Sequence, residues 1–459
     1  MPDYSYLSFW HETVGEPLRP RPSLPGSTTV DVAIVGAGYT GLWTAYYLLE
    51  RMPTLRIAIL EKEIAGFGAS GRNGGWCSGI FPASWRRIAR DGGAETVGRV
   101  QRAMNATVDE VGRVARQEGI DCDWHKGGYV SVARNAAQWT RAQGEVASAR
   151  SWGLGEDVLA LVSKGEAEQR LGASDVLGGT FASHCAAIHP SKLARGLARV
   201  VEARGVGLYE GTEVIGIAPG RVTTNRGTVT AETIIVATEG YTPSLPGHGR
   251  DVIPMYSLMV ATEPLSAATW ANIGLRDRET FSDKRHLRIY GQRTADGRIA
   301  FGGRGAPYHY GSRIRPEFDR HQGVHAMLRR VLLELLPGLP RDVRYTHAWG
   351  GNLGIPRDWY PSIQFDRTTR LGFAGGYVGD GVALTNLAGR ALTDLITGAE
   401  SELTALPFVG RRSTRWEPEP LRWLGVNAVT QLFRTADRAE RRTGVPAKRA
   451  AWFWSQLGH

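Results

Sequence analysis

Apolar residues run almost without a break from Val30 to Val35 (V-D-V-A-I-V), the pattern of a parallel strand buried on both faces. From Thr40 to Arg51 the apolar positions change to helical spacing, and Gly36, Gly38 and Gly41 stand between strand and helix as G-x-G-x-x-G. Here the first glycine permits a tight turn, the second lets a pyrophosphate approach the backbone, and the third lets the helix lie close on the sheet. Free amides at the helix start face a pyrophosphate, where the helix dipole favours negative charge. A second strand over 55–60 ends at Glu61, where an acidic side chain accepts hydrogen bonds from adenosine ribose hydroxyls. Together these pieces predict a dinucleotide-binding unit.

Further along, periodicity predicts helices over 94–118, 135–152, 164–171 and 189–206, and strands over 127–133 and around Phe181. Strands follow at 207–217 and 233–238, the latter (I-I-V-A-T) reading as a return to the first unit, so that unit is assembled from separated segments. Runs at 252–263 and 298–304, with H-L-R-I-Y-G-Q between them, predict a second sheet, and Asp296-Gly297 is a hairpin signal. A helix is expected over 316–336 and another over 382–397, fed by a strand at 371–374 and a glycine-rich turn. Residues 1–26, rich in proline and without periodicity, read as an extended arm. The division expected is a nucleotide-binding domain from 27–120, 186–250 and 345–400, a substrate domain from 121–185 and 251–344, and a basic helical extension over 401–459.

With 459 residues, 42% hydrophobic and 22% charged, the composition is that of an ordinary globular chain of two or three domains. No apolar run approaches a membrane span and no leader pattern opens the chain. Cys77, Cys122 and Cys185 form neither a metal spacing nor a disulfide framework, which predicts a reducing, cytoplasmic setting and no metal. The net charge of +10 comes with no nucleic-acid motif, so a solvated surface or attraction to small anions is the reading.

The first glycine turn, A-S-G-R-N-G-G (69–75), I-V-A-T-E-G-Y (235–241) and G-G-Y-V-G-D-G-V (375–382) occur in a familiar order. The chain resembles the D-amino-acid-oxidase-like FAD-dependent oxidoreductases, and within them the γ-glutamylputrescine oxidoreductase branch. The resemblance implies an α/β fold, a Rossmann-like FAD-binding domain roofed by a mixed, largely antiparallel sheet. It implies noncovalent FAD and oxidation of a C–N bond to an imine that hydrolyses to an aldehyde or ketone. By position, Gly36, Ala37, Gly38, Tyr39, Thr40 and Gly41 would meet the pyrophosphate, and Glu61 with Lys62 the ribose. Gly68, Ala69, Ser70, Arg72, Asn73, Gly74 and Gly75 would line the ribityl chain and flavin edge. Val214 would meet the adenine, Ala237 and Thr238 would lie behind the pyrophosphate, and Gly376, Tyr377, Gly379, Asp380, Gly381 and Val382 would form the turn before the last helix. Amides at that helix start can face the flavin edge where negative charge develops.

Hydride leaves a carbon next to a neutral amine for flavin N5, so positioning and amine deprotonation dominate such chemistry. Tyr256, Trp349 and Asp380 are the catalytic candidates; Arg288, Tyr290, Arg304, Asn352 and Tyr377 are the substrate-binding ones, with Arg285 as a further cation. Many relatives carry His where Asp380 stands, and a carboxylate there could attract a cationic amine. Members acting on α-amino acids have an Arg near H-A-W-G-G-N-L-G (347–354), which this chain lacks, so the expected substrate is a small-molecule amine without an α-carboxylate and with a remote anionic group. The electron acceptor, O2 or another, stays open. A flavin monooxygenase or NAD(P)H-linked reductase, which needs a nicotinamide site, and a flavin-bearing scaffold without turnover are the alternatives. The basic helix over 423–442 is expected to dock on the body with Trp423, Leu424, Val429 and Phe433 on or near one face.

Overall fold

The computed structural model describes residues 3–456. The opening strand, Thr28–Val35, lies at the centre of an eight-stranded sheet. It pairs in parallel with Gly227–Val236 on one side and Ile57–Leu60 on the other. Gly207–Tyr209 extends the second side. Leu371–Gly375 and then the antiparallel Ser362–Asp366 extend the first. Helices Tyr39–Arg51 and Gly381–Thr397 pack against each other so closely that a Cβ on Gly389 would stand 2.8 Å from Trp43. With Ala94–Gln117 and Pro190–Ala203 they bury one sheet face in the largest apolar core of the molecule.

The second sheet runs Tyr345–Pro356, Val252–Thr262, Ile299–Gly303, Ile289–Arg293, Thr280–Asp283, Tyr129–Ala133, Gly178–Ala182, Ala160–Val162. It is antiparallel except between Thr280–Asp283 and Tyr129–Ala133. Because side chains alternate across a strand, Leu258 and Val260 pack with Leu328 and Leu332 of the helix Gln322–Leu335. Met259 and its cross-strand partner Trp349 face the other way, toward Phe9 and Trp10.

Several expectations change. The segment 345–356, expected with the nucleotide-binding unit, is hydrogen-bonded along its length to Val252–Thr262 and belongs to the second sheet. Its paired glycines suit a strand held against close neighbours: a Cβ on Gly350 would meet the backbone of Asp319 at 3.0 Å. The strand expected at 207–217 is two, Gly207–Tyr209 and Val214–Ala218, broken at Gly211 (φ +63°). The helix expected over 316–336 is a 3-10 turn, Pro316–Arg320, and a separate helix whose first turn is capped by the His321 side chain. The N-terminal arm contains a short helix, Phe9–Glu12, with Phe9, Trp10 and His11 all buried; positions 1 and 2 of the arm lie outside the described residues. The C-terminal helix, Leu421–Thr443, docks through Phe433 and Ala436, while Trp423 and Leu424 are exposed. None of the described helices is long and apolar enough to cross a membrane.

Candidate active site

Gly36 adopts φ +105°, and a Cβ there would lie 2.7 Å from the Ala237 carbonyl; one on Gly41 would lie 2.1 Å from the Gly36 carbonyl. Neither position admits a side chain, so the helix start is drawn down onto the strand ends. Gly38 precedes the helix in extended conformation, and the Ser70 hydroxyl accepts from the Tyr39 amide at 2.9 Å. The Glu61 carboxylate accepts from the Ala37 amide at 2.8 Å and the Glu63 amide at 2.9 Å. Burial pushes its pKa up to about 7 against these amides. A carboxylate so enclosed, with lone pairs to spare, suits vicinal hydroxyls. Lys62 is exposed and paired with Glu213 at 2.7 Å, beside Val214 on its edge strand. Ala237 hydrogen-bonds to Val35 and Thr238 to Thr242. The glycine cradle, helix amides and enclosed acid fit an adenine dinucleotide such as FAD.

The carbonyls of the loop 68–75 are held by side chains, most of them from distant segments. Trp10 donates its indole N–H to the Asn73 carbonyl (2.8 Å) and Trp349 donates to that of Arg72 (3.0 Å). Ser191 holds the Gly71 carbonyl, the Asn73 amide holds those of Ala69 and Ser70, and Gln292 holds those of Gly74 and Gly75. Tyr290 covers Gly74, and Tyr241 lies over Gly68. The Arg72 side chain is engaged too. Its guanidinium is consumed by the Phe67 carbonyl (2.8 Å), Asp319 (2.7 Å) and the Tyr241 hydroxyl (2.8 Å). The structure therefore makes Arg72 a tie between this loop and the 3-10 turn carrying Asp319.

The late turn crosses from Gly376 (φ +75°) through Tyr377 and Val378 (φ +55°) to Gly379 (φ +108°), and the helix Gly381–Thr397 starts there with Val382 buried. Glu239 clasps it: its carboxylate accepts from the Gly354 amide and from the Tyr377 amide at 3.3 Å. Burial raises its pKa to about 7, again against backbone donors. Glu239 thus joins I-V-A-T-E-G, the roof strand and the late turn; in the sequence it is only one letter of the first of these.

Asp380, a catalytic candidate, comes together with the substrate-binding candidates Arg304, Arg288 and Tyr290, Arg288 being exposed. Arg304 and Arg288 sit on neighbouring strand ends, the Arg304 amide donating to the Arg288 carbonyl at 2.9 Å. Burial pushes the Asp380 pKa up to about 6, and Arg288 and Arg304 pull it back down. The Arg304 pKa is lowered by burial and by Arg288. Arg304 also donates to the Val378 carbonyl and lies 5.3 Å above the Trp359 ring. Tyr290 bonds Ser257 at 2.7 Å. Arg285 is not part of the group, being bound through two nitrogens to Asp283. Nor are Tyr256, Asn352, Tyr377 and Trp349. Tyr256 accepts from the Arg315 amide at 3.2 Å, Asn352 donates to the Gly240 carbonyl at 3.1 Å, Tyr377 pairs with Thr40 at 3.0 Å, and Trp349 is 1% exposed among Phe9, Trp10 and Met259. His125 pairs with Asp277, and His309 stacks on Phe318.

A glycine-turn βαβ cradle beneath a mixed-sheet roof defines the class, and the chain belongs to the FAD dependent oxidoreductase family, whose match covers residues 31–395. FAD is its cofactor and it is an oxidoreductase. The chain is similar to the probable oxidoreductase OrdL of Rhizobium meliloti, with 34% identity over 88% of this chain and 91% of that protein. It is similar also to the gamma-glutamylputrescine oxidoreductase of Escherichia coli, with 30% identity over 89% of this chain and 95% of that protein. Among solved structures, glycine oxidase from Geobacillus kaustophilus shares the fold, with a TM-score of 0.69 at 22% identity, over 84% of this chain and 99% of that one.

Proposed function

We propose that this FAD-dependent oxidoreductase oxidises the C–N bond of an amine that lacks an α-carboxylate and carries a remote anionic group, such as a γ-glutamylputrescine-like or aminophosphonate-like amine. The observation that carries the reading is the reach of Arg304 to the late turn, where its guanidinium donates to the Val378 carbonyl two residues before Asp380, with the exposed Arg288 beside it on the neighbouring strand end. The roof strand 347–354 meanwhile offers no arginine, and Asn352 is spent on Gly240.

Bound FAD would supply a hydride acceptor for the carbon beside an amine, and the resulting imine would be hydrolysed by water to an aldehyde or ketone. Gly36 through Gly41, Glu61 and the loop 68–75 would hold it noncovalently. In the seat, Arg288 and Arg304 bind the anionic end of the substrate, and their excess over Asp380 leaves one positive charge unmatched. Asp380 is ionised above about pH 6 and draws a cationic nitrogen of the substrate at its carboxylate oxygens. Tyr290, braced by Ser257, orients the chain of the substrate, while Trp349 and Tyr256 position the roof strands from behind. The relative named gamma-glutamylputrescine oxidoreductase supports this class.

The test is anaerobic mixing of the holoenzyme with γ-glutamylputrescine, 2-aminoethylphosphonate, putrescine and glycine. Loss of the yellow absorbance with an anion-bearing amine, and little with putrescine or glycine, is expected; bleaching by NADPH, or by glycine in preference, would refute the assignment. Readmitting O2 then shows whether oxygen is the acceptor. Acid denaturation should release FAD into the supernatant.

A further inference from the structure

The ladder between Ile289–Arg293 and Ile299–Gly303 ends in register at Ile289 and Gly303. Arg288 and Arg304 stand one residue beyond that end, joined by one backbone hydrogen bond. A strand end carrying two like charges frays unless something holds it. The C-terminal helix, Leu421–Thr443, holds it from both sides. Asp437 accepts from the amides of His286 (2.7 Å) and Leu287 (2.9 Å), the two residues before Arg288. Arg434 donates to the carbonyl of Gly305, the residue after Arg304. Asn427 brackets Tyr308, accepting from its amide and donating to its carbonyl, each at 3.1 Å. Glu440, further along the same face, accepts from the His286 ring (2.8 Å) and from Arg141 (2.9 Å), anchoring the helix. Ahead of the helix, Glu419 accepts from the Tyr308 hydroxyl and the Gly311 amide, both at 2.9 Å.

Asn427, Arg434, Asp437 and Glu440 of one helix therefore grip the two segments from which the arginines project. A helix that only covered apolar surface would not place its polar side chains on the backbone amides and carbonyls of residues 286, 287, 305 and 308. We propose that the C-terminal helix is part of the anion-recognition seat: Asn427, Arg434 and Asp437 are positioning residues that set Arg288 and Arg304 against Asp380. The substrate specificity of this chain then rests in part on residues outside the matched 31–395. This inference rests on the reading of the Arg288–Arg304 seat given above.

The test uses holoenzyme and glutarate, a dicarboxylate that the protein cannot oxidise at a C–N bond, titrated by isothermal calorimetry. Wild type binds, and Arg304→Gln weakens binding at least tenfold. Asp437→Ala and Asn427→Ala should each weaken glutarate about five- to tenfold, with Asp437→Asn, which keeps one acceptor oxygen, falling between. Both alanine variants should raise KM for γ-glutamylputrescine while leaving kcat near the wild-type value. Because Asp437→Ala can lose structure, Asn427→Ala is the control, and FAD content is measured on both. Unchanged glutarate affinity in both variants, with Arg304→Gln still impaired, overturns the role of the helix and leaves the seat standing. A fall in kcat without change in KM likewise overturns it. Wild type that fails to bind glutarate overturns the seat itself and this inference with it.

Discussion

Replacing Arg72 by methionine removes a guanidinium 4% exposed as a residue, whose hydrogen bonds reach Asp319, the Tyr241 hydroxyl and the carbonyls of Phe67 and Gly350. The main cost is the stranded carboxylate. Burial already raises the Asp319 pKa, and Arg72 is the principal group opposing that rise. Removing one partner of a buried pair costs about 3–5 kcal/mol, and the carbonyls left without donors add about 1 kcal/mol more. A loss near 4 kcal/mol is expected, with about 2 kcal/mol recovered in Arg72→Met/Asp319→Asn. In the single variant the folded-state pKa of Asp319 climbs further above its unfolded value of about 3.9. The added penalty is therefore absent below about pH 4 and grows as pH rises through the folded pKa. Urea unfolding with FAD at one fixed saturating concentration, at pH 7.5 and pH 5, reads both effects, since bound cofactor itself shifts the midpoint. A loss below about 1 kcal/mol, or one that does not shrink on acidification, would refute the account of Arg72 as a buried tie.

Gly41→Ala would force a Cβ to 2.1 Å from the Gly36 carbonyl; the purified variant should be colourless and take up no FAD on reconstitution. Trp10→Phe keeps the ring but strands the Asn73 carbonyl, bound at 2.8 Å in the native chain, and should lower stability by about 1–2 kcal/mol by thermal melting with weaker FAD retention. Glu239, with its pKa raised to about 7 by burial, binds a proton in the folded state between about pH 4.5 and 7 that the unfolded chain releases, so its contribution to stability falls as pH rises through that window. Glu239→Gln should accordingly gain on wild type from pH 5 to pH 8, by up to about 3 kcal/mol, and a constant difference between the two melting curves across that range would contradict the assignment.

The nucleotide cradle was legible because its information is local. Strand, glycine spacing, helix and terminal acid lie within some thirty residues, and the period change from two-faced strand to helix is read directly. The roof was legible in part: 252–263 and 298–304 declare themselves as strands, but His347–Gly354, rich in glycine, declares nothing until Val252–Thr262 is seen beside it. Arg72 reads as a cofactor ligand by its place in A-S-G-R-N-G-G, and only the return of Asp319 beneath it shows where the charge goes. Trp10 carries no periodic signal, because its partners are Asn73, His189 and Trp349, all far along the chain. In the sequence Asp437 is one polar letter of a basic helix, and its work lies at residues 286 and 287.

The burial of Trp10 beside Trp349 also sets the order in which this protein can be made. During synthesis the short helix carrying Trp10 lacks its Trp349 neighbour until nearly three hundred and forty further residues have left the ribosome, as counted between those positions. The opening strand has Ile57–Leu60 on one side early but waits for Gly227–Val236 on the other. Such distant pairings form late, so cofactor loading waits for the roof strand, and a nascent fragment ending before it should emerge empty.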